Sequence, residues 1–407
     1  MAGEDAISLG IYVSFPFCRS KCTYCNFASG VFPGTDHGRY VERVIEDLAS
    51  AAAWAADFGA ELPQRVDTVY LGGGTPSLLA PDLLARLLEA MREHFNVDAD
   101  AEITVECAPD QLADATLDAM AARGVNRVSL GVQSFVDAEA RASGRMHERT
   151  TAMNDLRRLR SAGITNLNVD LIAGLAGQTC ASWEESLDIL IESEVPHASV
   201  YMLEVDEDSR LGREMLKGGT RYRAGSVPSD EAIAQMYEQA IEQLNAVGLK
   251  QYEISNFSQA GFESKHNLRY WKRRPYLGVG LDASSMLPAA GQAGRRSGLG
   301  DVLRSTTVDD LDSYLAERGT AEAAWISPQH QHEEAWFLGL RMNAGVEVAG
   351  LEREFGREMV EPAMETVKRL VADRLLTFEG GRVRLTARGR LLSNDVFQEF
   401  LAQSQPA

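Results

Sequence analysis

Short runs rich in Val, Ile and Leu recur along the first half of the chain, at Ile11–Phe15, Val66–Leu71, Ile103–Val105, Arg127–Val132, Asn166–Leu171 and Ala198–Leu203. Between them, over Asp36–Phe58, Pro81–Phe95, Ala115–Arg123, Thr151–Ala162 and Ser182–Ile191, apolar residues fall at spacings of three and four. The short runs predict strands and the longer stretches amphipathic helices. Strand and helix in strict alternation predict parallel β/α units. Six such units predict an α/β fold, an open or partial (β/α)6 barrel of about 200 to 250 residues. The tail reads differently. From Ser327 onward, helical stretches lead into LLTFEGGRVRLT, a strand-turn-strand signal, which predicts a helical, winged-helix-like C-terminal domain. The expected division is a barrel over 1–255, a connecting region over 256–325 and the C-terminal domain over 326–407.

Each predicted strand ends on residues that are poor core formers. A loop with three cysteines follows the first, Gly72-Gly73-Gly74-Thr75-Pro76 the second, Glu106 ends the third, Gln133 the fourth, Asp170 the fifth, and Tyr201 and Met202 the sixth. Taken singly, a glycine run is a tight turn and a terminal acid is a helix cap. In β/α barrels, however, the C-terminal strand ends form one face, where working residues gather. Their joint placement predicts a shared site around the cysteine loop.

That loop, IYVSFPFCRSKCTYCNF, carries Cys18, Cys22 and Cys25 in a CxxxCxxC spacing. Arg19, Ser20, Lys21 and Thr23 between them are polar, which argues against ordinary buried thiols. Structural zinc takes four protein ligands, and a simple ferredoxin cluster takes four cysteines. Three thiolates on a 4Fe-4S cluster leave one iron open to a small molecule, and that is the favoured reading. Zinc completed by a distant histidine is the alternative.

Composition narrows the class further. The net charge of −19 speaks against a nucleic-acid partner. The C-terminal stretch, with ten Lys and Arg against twelve Asp and Glu, lacks the basic footprint of a DNA-binding winged helix. The opening MAGEDAISLG has no apolar signal region, and no apolar run is long enough to span a bilayer. Five cysteines, three of them clustered, fit a reducing compartment rather than a disulfide framework. A cytoplasmic location is expected.

CxxxCxxC after the first strand, GGGTP after the second, GVQSF at the fourth and NVDLIAGL at the fifth together resemble the radical S-adenosylmethionine (SAM) superfamily. The finer resemblance is to the branch that holds anaerobic coproporphyrinogen III oxidase and the HemW-type heme chaperones. It implies a 4Fe-4S cluster on Cys18, Cys22 and Cys25 whose open iron is chelated by SAM. By motif position it places Tyr12, Tyr24, Gly73, Gly74, Thr75, Glu106, Gln133, Arg145, Asp170 and Met202 at the SAM. Arg145 could equally serve as a surface salt-bridge partner.

Two departures count against the oxidase. It has a further cysteine where this chain has Phe27, and a longer N-terminal extension for which Cys18 leaves no room. The chaperone-like pattern adds HNxxYW, here His266 to Trp271, preceded by YEISNF at Tyr252–Phe257. On a helix His266 and Tyr270 share a face, and both residue types ligate heme iron. Lys265, Arg269, Lys272, Arg273 and Arg274 surround them with charge suited to propionates. The structural alternative is a hydrogen-bonded packing element. Where related chains read GxGxxAHS, the run Gly278–Ser285 has Ser284 in place of the histidine. The resemblance therefore implies a carrier of heme with an unknown acceptor protein, with a radical SAM enzyme acting on a tetrapyrrole as the competing class.

Overall fold

The computed structural model describes residues 7–291, 301–316 and 319–401. Strands β1 (Leu9–Phe15), β2 (Arg65–Gly73), β3 (Asn96–Cys107), β4 (Arg127–Gln133), β5 (Asn166–Ala173) and β6 (His197–Met202) pair in parallel and in sequence order. The intervening chain forms α1 (Asp36–Asp57), α2 (Pro81–His94), α3 (Asp114–Ala122), α4 (Asp137–Ala142), α5 (Arg149–Ser161) and α6 (Cys180–Glu192), followed beyond β6 by α7 (Arg210–Leu216) and α8 (Asp230–Ala246). This is the expected α/β architecture.

Alternation along the strands sets the two faces. Ile11, Val13, Val69, Leu71, Ile103, Val105, Val128, Leu130, Leu167, Val169, Ala198 and Val200 are all buried in the main core, together with Leu48, Leu87, Leu156 and Leu187 from the helices. The residues between them on each strand are mostly polar. A period of two therefore leaves an apolar outer face under the helices and a polar inner face.

β3 is much longer than its apolar run predicts. Its first half, NVDADA, pairs Arg65 with Asn96 and Val66 with Val97 before the register jumps to Thr68 with Glu102. Backbone ladder bonds hold it there, and they need no apolar side chain to mark them.

The stretch expected to connect two domains contributes strands to the same sheet. β7 (Lys250–Gln251) and β8 (Asn256–Ser258) extend it antiparallel beyond β6. Past α9 (Lys265–Trp271), β9 (Tyr276–Gly280) pairs in parallel with β1. β10 (Ser284–Pro288), β11 (Val302–Thr307), the short α10 (Leu311–Ala316) and β12 (Thr320–Ile326) complete a twelve-stranded sheet. Ser284 is exposed at the start of β10, its hydroxyl 3.3 Å from that of Thr306.

α9 lies against the N-terminal ends of β2 and β3. Both carboxylate oxygens of Glu102 accept from its first turn, from His266 N–H at 3.0 Å and Lys265 N–H at 3.2 Å, which suits the positive end of a helix. Arg269 is buried and paired with Asp67, and it also donates to the Ser8 and Pro275 carbonyls at 2.9 and 2.8 Å. It crosses β1 at Gly10, where a Cβ would stand 2.5 Å from the arginine Cδ. No other residue fits there.

The C-terminal part runs α11 (Pro328–Arg341), β13 (Val346–Glu347), α12 (Val348–Phe355), α13 (Arg357–Ala372), β14 (Leu376–Glu379) and β15 (Arg382–Leu385), with sheet order β13-β15-β14. This is the element order of a winged helix, built over a second core that includes Trp336, Val360, Leu370, Val383 and Phe400. YEISNF stitches it to the barrel. Ile254 N–H donates to Arg341 O at 3.1 Å, and Asn343 N–H donates to Tyr252 O at 2.9 Å. No helix among the described residues is long and apolar enough to cross a membrane.

Arg269 is buried and serves Asp67 and the Ser8 and Pro275 carbonyls at once, so removing it leaves a cavity and several acceptors without their donor. Arg269→Ala should therefore lower unfolding stability by about 3 kcal/mol, read by urea denaturation. A change under about 0.5 kcal/mol would show that α9 is not anchored through this residue.

Candidate functional site

The cysteine loop is held from four sides. Its stem closes through Cys18 N–H to Gly30 O at 2.9 Å and Gly30 N–H to Pro16 O at 2.8 Å. The β2 turn abuts it, with Gly74 N–H donating to Phe15 O at 2.6 Å and Thr75 N–H to Phe17 O at 2.8 Å. A Cβ on Gly74 would lie 2.6 Å from Phe17 O, so the glycine is required for this close approach before any ligand is considered. Thr23 N–H donates to Ser143 O at 3.0 Å, and Leu211 N–H, from α7, donates to Thr23 O at 2.8 Å. Lys21 Nζ reaches back to the carbonyls of Phe27 and Ser29 at 3.1 and 2.9 Å.

This fixed loop roofs a cavity of about 600 Å³ lined by Cys18, Cys22 and Cys25 and by the inward residues of β2 to β6. Among the described residues no three His, Cys, Asp or Glu side chains converge on a single ion; the thiols border a space. Burial pushes the Cys18 thiol up from its ordinary range.

Opposite them stands a pair of acids. Glu106 accepts from Tyr70 OH at 2.8 Å and from Gly73 N–H at 3.0 Å. Desolvation, and then the neighbouring Asp170 charge, raise its pKa to about 7. Asp170 is also raised by burial, while Ser199, Ser129 and Asn168 oppose the shift by hydrogen bonding. Arg145 donates to Tyr24 OH at 3.4 Å, and its Nε is buried without a partner. Burial works against its charge, but Tyr24, Cys22 and Asp170 outweigh burial and hold it cationic. Gln133 takes φ +69° beside a register shift between Gly131 and Gln133, the kind of local irregularity found beside working sites.

The cavity brings together Tyr24, Gly73, Gly74, Thr75, Glu106, Gln133, Arg145, Asp170 and Met202. Arg145 faces the ligand space and not the surface. Tyr12 stands one ring behind, its centroid 6.0 Å from Tyr70 and 6.3 Å from His266. Several lining residues escaped the site assignment made from strand ends: Tyr70, Arg127, Ser129, Asn168 and Ser199. Their signal was polar alternation within the strands, as in Arg127, Ser129 and Gly131 or Asn168 and Asp170.

α9 is helical as expected, and His266 and Tyr270 do meet. They meet inside. His266 is 1 % exposed, with Nδ1 hydrogen-bonded to Thr68 Oγ1 at 2.9 Å and Nε2 to Tyr270 OH at 2.9 Å. Burial, then Arg269, push its pKa down to about 3, so it is neutral. In the ligand-free chain the pair is hydrogen-bonded within the interior, the arrangement of the packing alternative, because the helix turns this face into the barrel floor. Two of the five flanking cations are likewise committed, Arg269 to Asp67 and Arg273 to both oxygens of Glu354 at 2.7 Å.

Comparison with known proteins agrees with this geometry. The Radical SAM superfamily pattern matches residues 12–190, and the HemN C-terminal domain pattern matches 326–392. The heme chaperone HemW of Lactococcus lactis is 33 % identical over 96 % of this chain and 96 % of its own length. The chain belongs to the HemW family of the radical SAM superfamily. A second HemW, from Bacillus subtilis, is 32 % identical over 96 % of this chain and 99 % of its own. The solved coproporphyrinogen III oxidase (HemN) of Escherichia coli shares the fold, with a TM-score of 0.79 at 21 % identity over 97 % of this chain and 90 % of that one. Within this HemW-family chain, the superfamily's match covers β2 to β5 of the cavity wall, and β6, which supplies Ser199, Tyr201 and Met202, lies beyond it.

The raised acid has a direct readout. In the ligand-free protein one Glu carboxyl should titrate near pH 7, protonated below and ionised above, seen by NMR of carboxyl-labelled glutamate. Glu106→Gln should delete that signal; a surviving titration would place the raised acid elsewhere.

Proposed function

We propose that this chain is a heme chaperone of the HemW type, which binds heme and passes it to an acceptor protein, with a SAM-coordinated 4Fe-4S cluster at Cys18, Cys22 and Cys25. The observation that carries the reading is the single cavity in which three thiols face Glu106, Asp170 and Arg145. Its donor set fits both groups. Three cysteines supply cluster ligands, the buried and unpartnered Arg145 Nε suits a carboxylate, and two acids suit a cationic ligand. Cys18, Cys22 and Cys25 would hold the cluster, which would supply one-electron reducing chemistry to a SAM bound in the same cavity. The protein's own part is to position and to exclude water. Gly73 and Tyr70 hold Glu106 in place, Ser129 and Asn168 hold Asp170, and the β2 turn locks the cysteine loop over both.

A carrier is favoured over an oxidase by Phe27. It occupies the position of the oxidase's further cysteine and stands 63 % exposed at the cavity mouth. The intact cavity keeps the second reading alive, a radical SAM enzyme acting on a tetrapyrrole.

The decisive comparison uses anaerobically reconstituted protein. Heme should produce a Soret shift, and coproporphyrinogen III should not be converted to protoporphyrinogen IX; turnover seen by chromatography would reverse the ranking. Changing all three loop cysteines to Ala should abolish the cluster's iron, sulfide and paramagnetic signal.

SAM binding should carry the Glu106 titration. Below pH 7 the acid is protonated and must lose its proton to pair with a cation, so affinity should rise several-fold from pH 6 to pH 8. Glu106→Gln should flatten that rise in a calorimetric titration.

A further inference from the structure

The segment after β6 differs from the rest of this acidic chain. Between Ser209 and Ser226 it carries five Lys and Arg and one acid, in a protein of net charge −19. Its one acid, Glu214, is half-buried and accepts from Arg221 N–H at 3.1 Å. Among the described residues, no ion pair is formed by Arg210, Arg213, Lys217, Arg221 or Arg223. Arg213 donates only to backbone carbonyls and Arg210 stacks over Tyr222 at 5.5 Å. Of the acids that precede this segment, Glu204 and Asp206 line the cavity, where Asp206 accepts from Asn26 at 2.9 Å, while Glu207 and Asp208 are exposed in the turn before α7.

Apolar surface accompanies the charge. Leu216 is 67 % exposed and Met215 39 %, both on α7, beside Lys217. The same helix is tied to the cysteine loop by Leu211 N–H to Thr23 O at 2.8 Å, and at about 1.5 Å of rise per residue Met215 lies roughly 6 Å further along. The loop adds Phe27 at its own exposed tip. Beyond α7 the chain reverses through Tyr222 and Arg223, both at positive φ near +57°, a costly backbone for such residues, with the Arg221 and Arg223 side chains left in solvent.

We propose that Met215, Leu216 and Phe27, with Lys217 and Arg221 at their edge, form a docking platform for a flat, apolar, dianionic macrocycle at the mouth of the cysteine cavity. The inference rests on the chaperone reading and locates its cargo. Heme has apolar faces and two carboxylates, and it needs uncovered apolar surface next to cations that no acid has claimed. The α9 region fails the apolar half of that requirement: Lys265, Lys272 and Arg274 are exposed there, but among the described residues no large apolar side chain on α9 is exposed beside them. A platform in solvent also suits a carrier, since cargo held there can be handed on without opening the core.

The test is heme titration of the reconstituted full-length protein, followed at the Soret band. Met215→Ser with Leu216→Ser, and separately Lys217→Glu with Arg221→Glu, should each weaken heme about tenfold. The charge-reversed pair should bind the iron porphyrin dimethyl ester, which lacks the carboxylates, as wild type does. Cluster absorbance and SAM binding should stay unchanged in both pairs, which controls for folding. If wild type binds heme and both pairs bind it equally well, the platform is wrong while the chaperone reading stands, and the surface serves another occupant. If wild type binds no heme, that reading falls and the platform with it.

Discussion

A parallel sheet with a polar inner face cannot pack shut, and the rest of this molecule follows from that constraint. Glu106, Asp170, Gln133, Arg127, Asn168 and Ser129 all line the inside of β3 to β5, so closing the strands onto one another would bury charges without partners. The energetic solution has three parts. The outer face packs under helices as an ordinary core. The inner polar groups hydrogen-bond one another, as in Asn168 to Ser129 and Asp170, both at 2.7 Å. What they leave unsatisfied, above all Arg145 Nε, is left for ligand.

Such a chamber needs a closed end, and α9 supplies it. Its two N-terminal amides sit on Glu102, its arginine spans β1 to Asp67, and its histidine and tyrosine complete each other's hydrogen bonds. The HNxxYW motif is thus a floor, continuous through Tyr70 with the carboxylate of Glu106. The tyrosine ring lies 5.2 Å from His266 while its hydroxyl donates to the acid. The motif also reaches the ligand space directly, since Asn267 lines the cavity. The open end is the cysteine loop, where the charge and apolar surface that the core excludes are displayed to solvent. Floor, chamber and mouth thus separate a packed, a ligand-sized and a solvent-exposed part of the molecule.

Much of this was legible in the residue order. The six strands and the helices between them follow from periodicities of two and 3.6, which are local properties of the backbone. The strand ends followed too, because a β/α repeat puts every such end on the same face, so Gly74, Glu106, Gln133, Asp170 and the cysteines could be gathered without knowing any distance. β3 was too short in that reading because its first half is held by ladder bonds rather than by apolar side chains.

Direction is what the order of residues left open. That His266 and Tyr270 share a helical face is a matter of spacing; whether the face looks outward or into the barrel depends on where α9 crosses. That crossing is set by contacts over more than 160 positions of sequence, to Glu102 and Thr68. The same holds for Arg145, whose neighbours come from the cysteine loop and β5, and for Gly10, whose need for a missing side chain is decided by an arginine from α9. The sequence by itself determined which elements form and which chemistry they carry, because those rest on local backbone geometry and residue type. Only the tertiary structure decided which polar groups are spent on each other and which are left facing ligand or solvent, because that depends on packing between segments far apart in the chain.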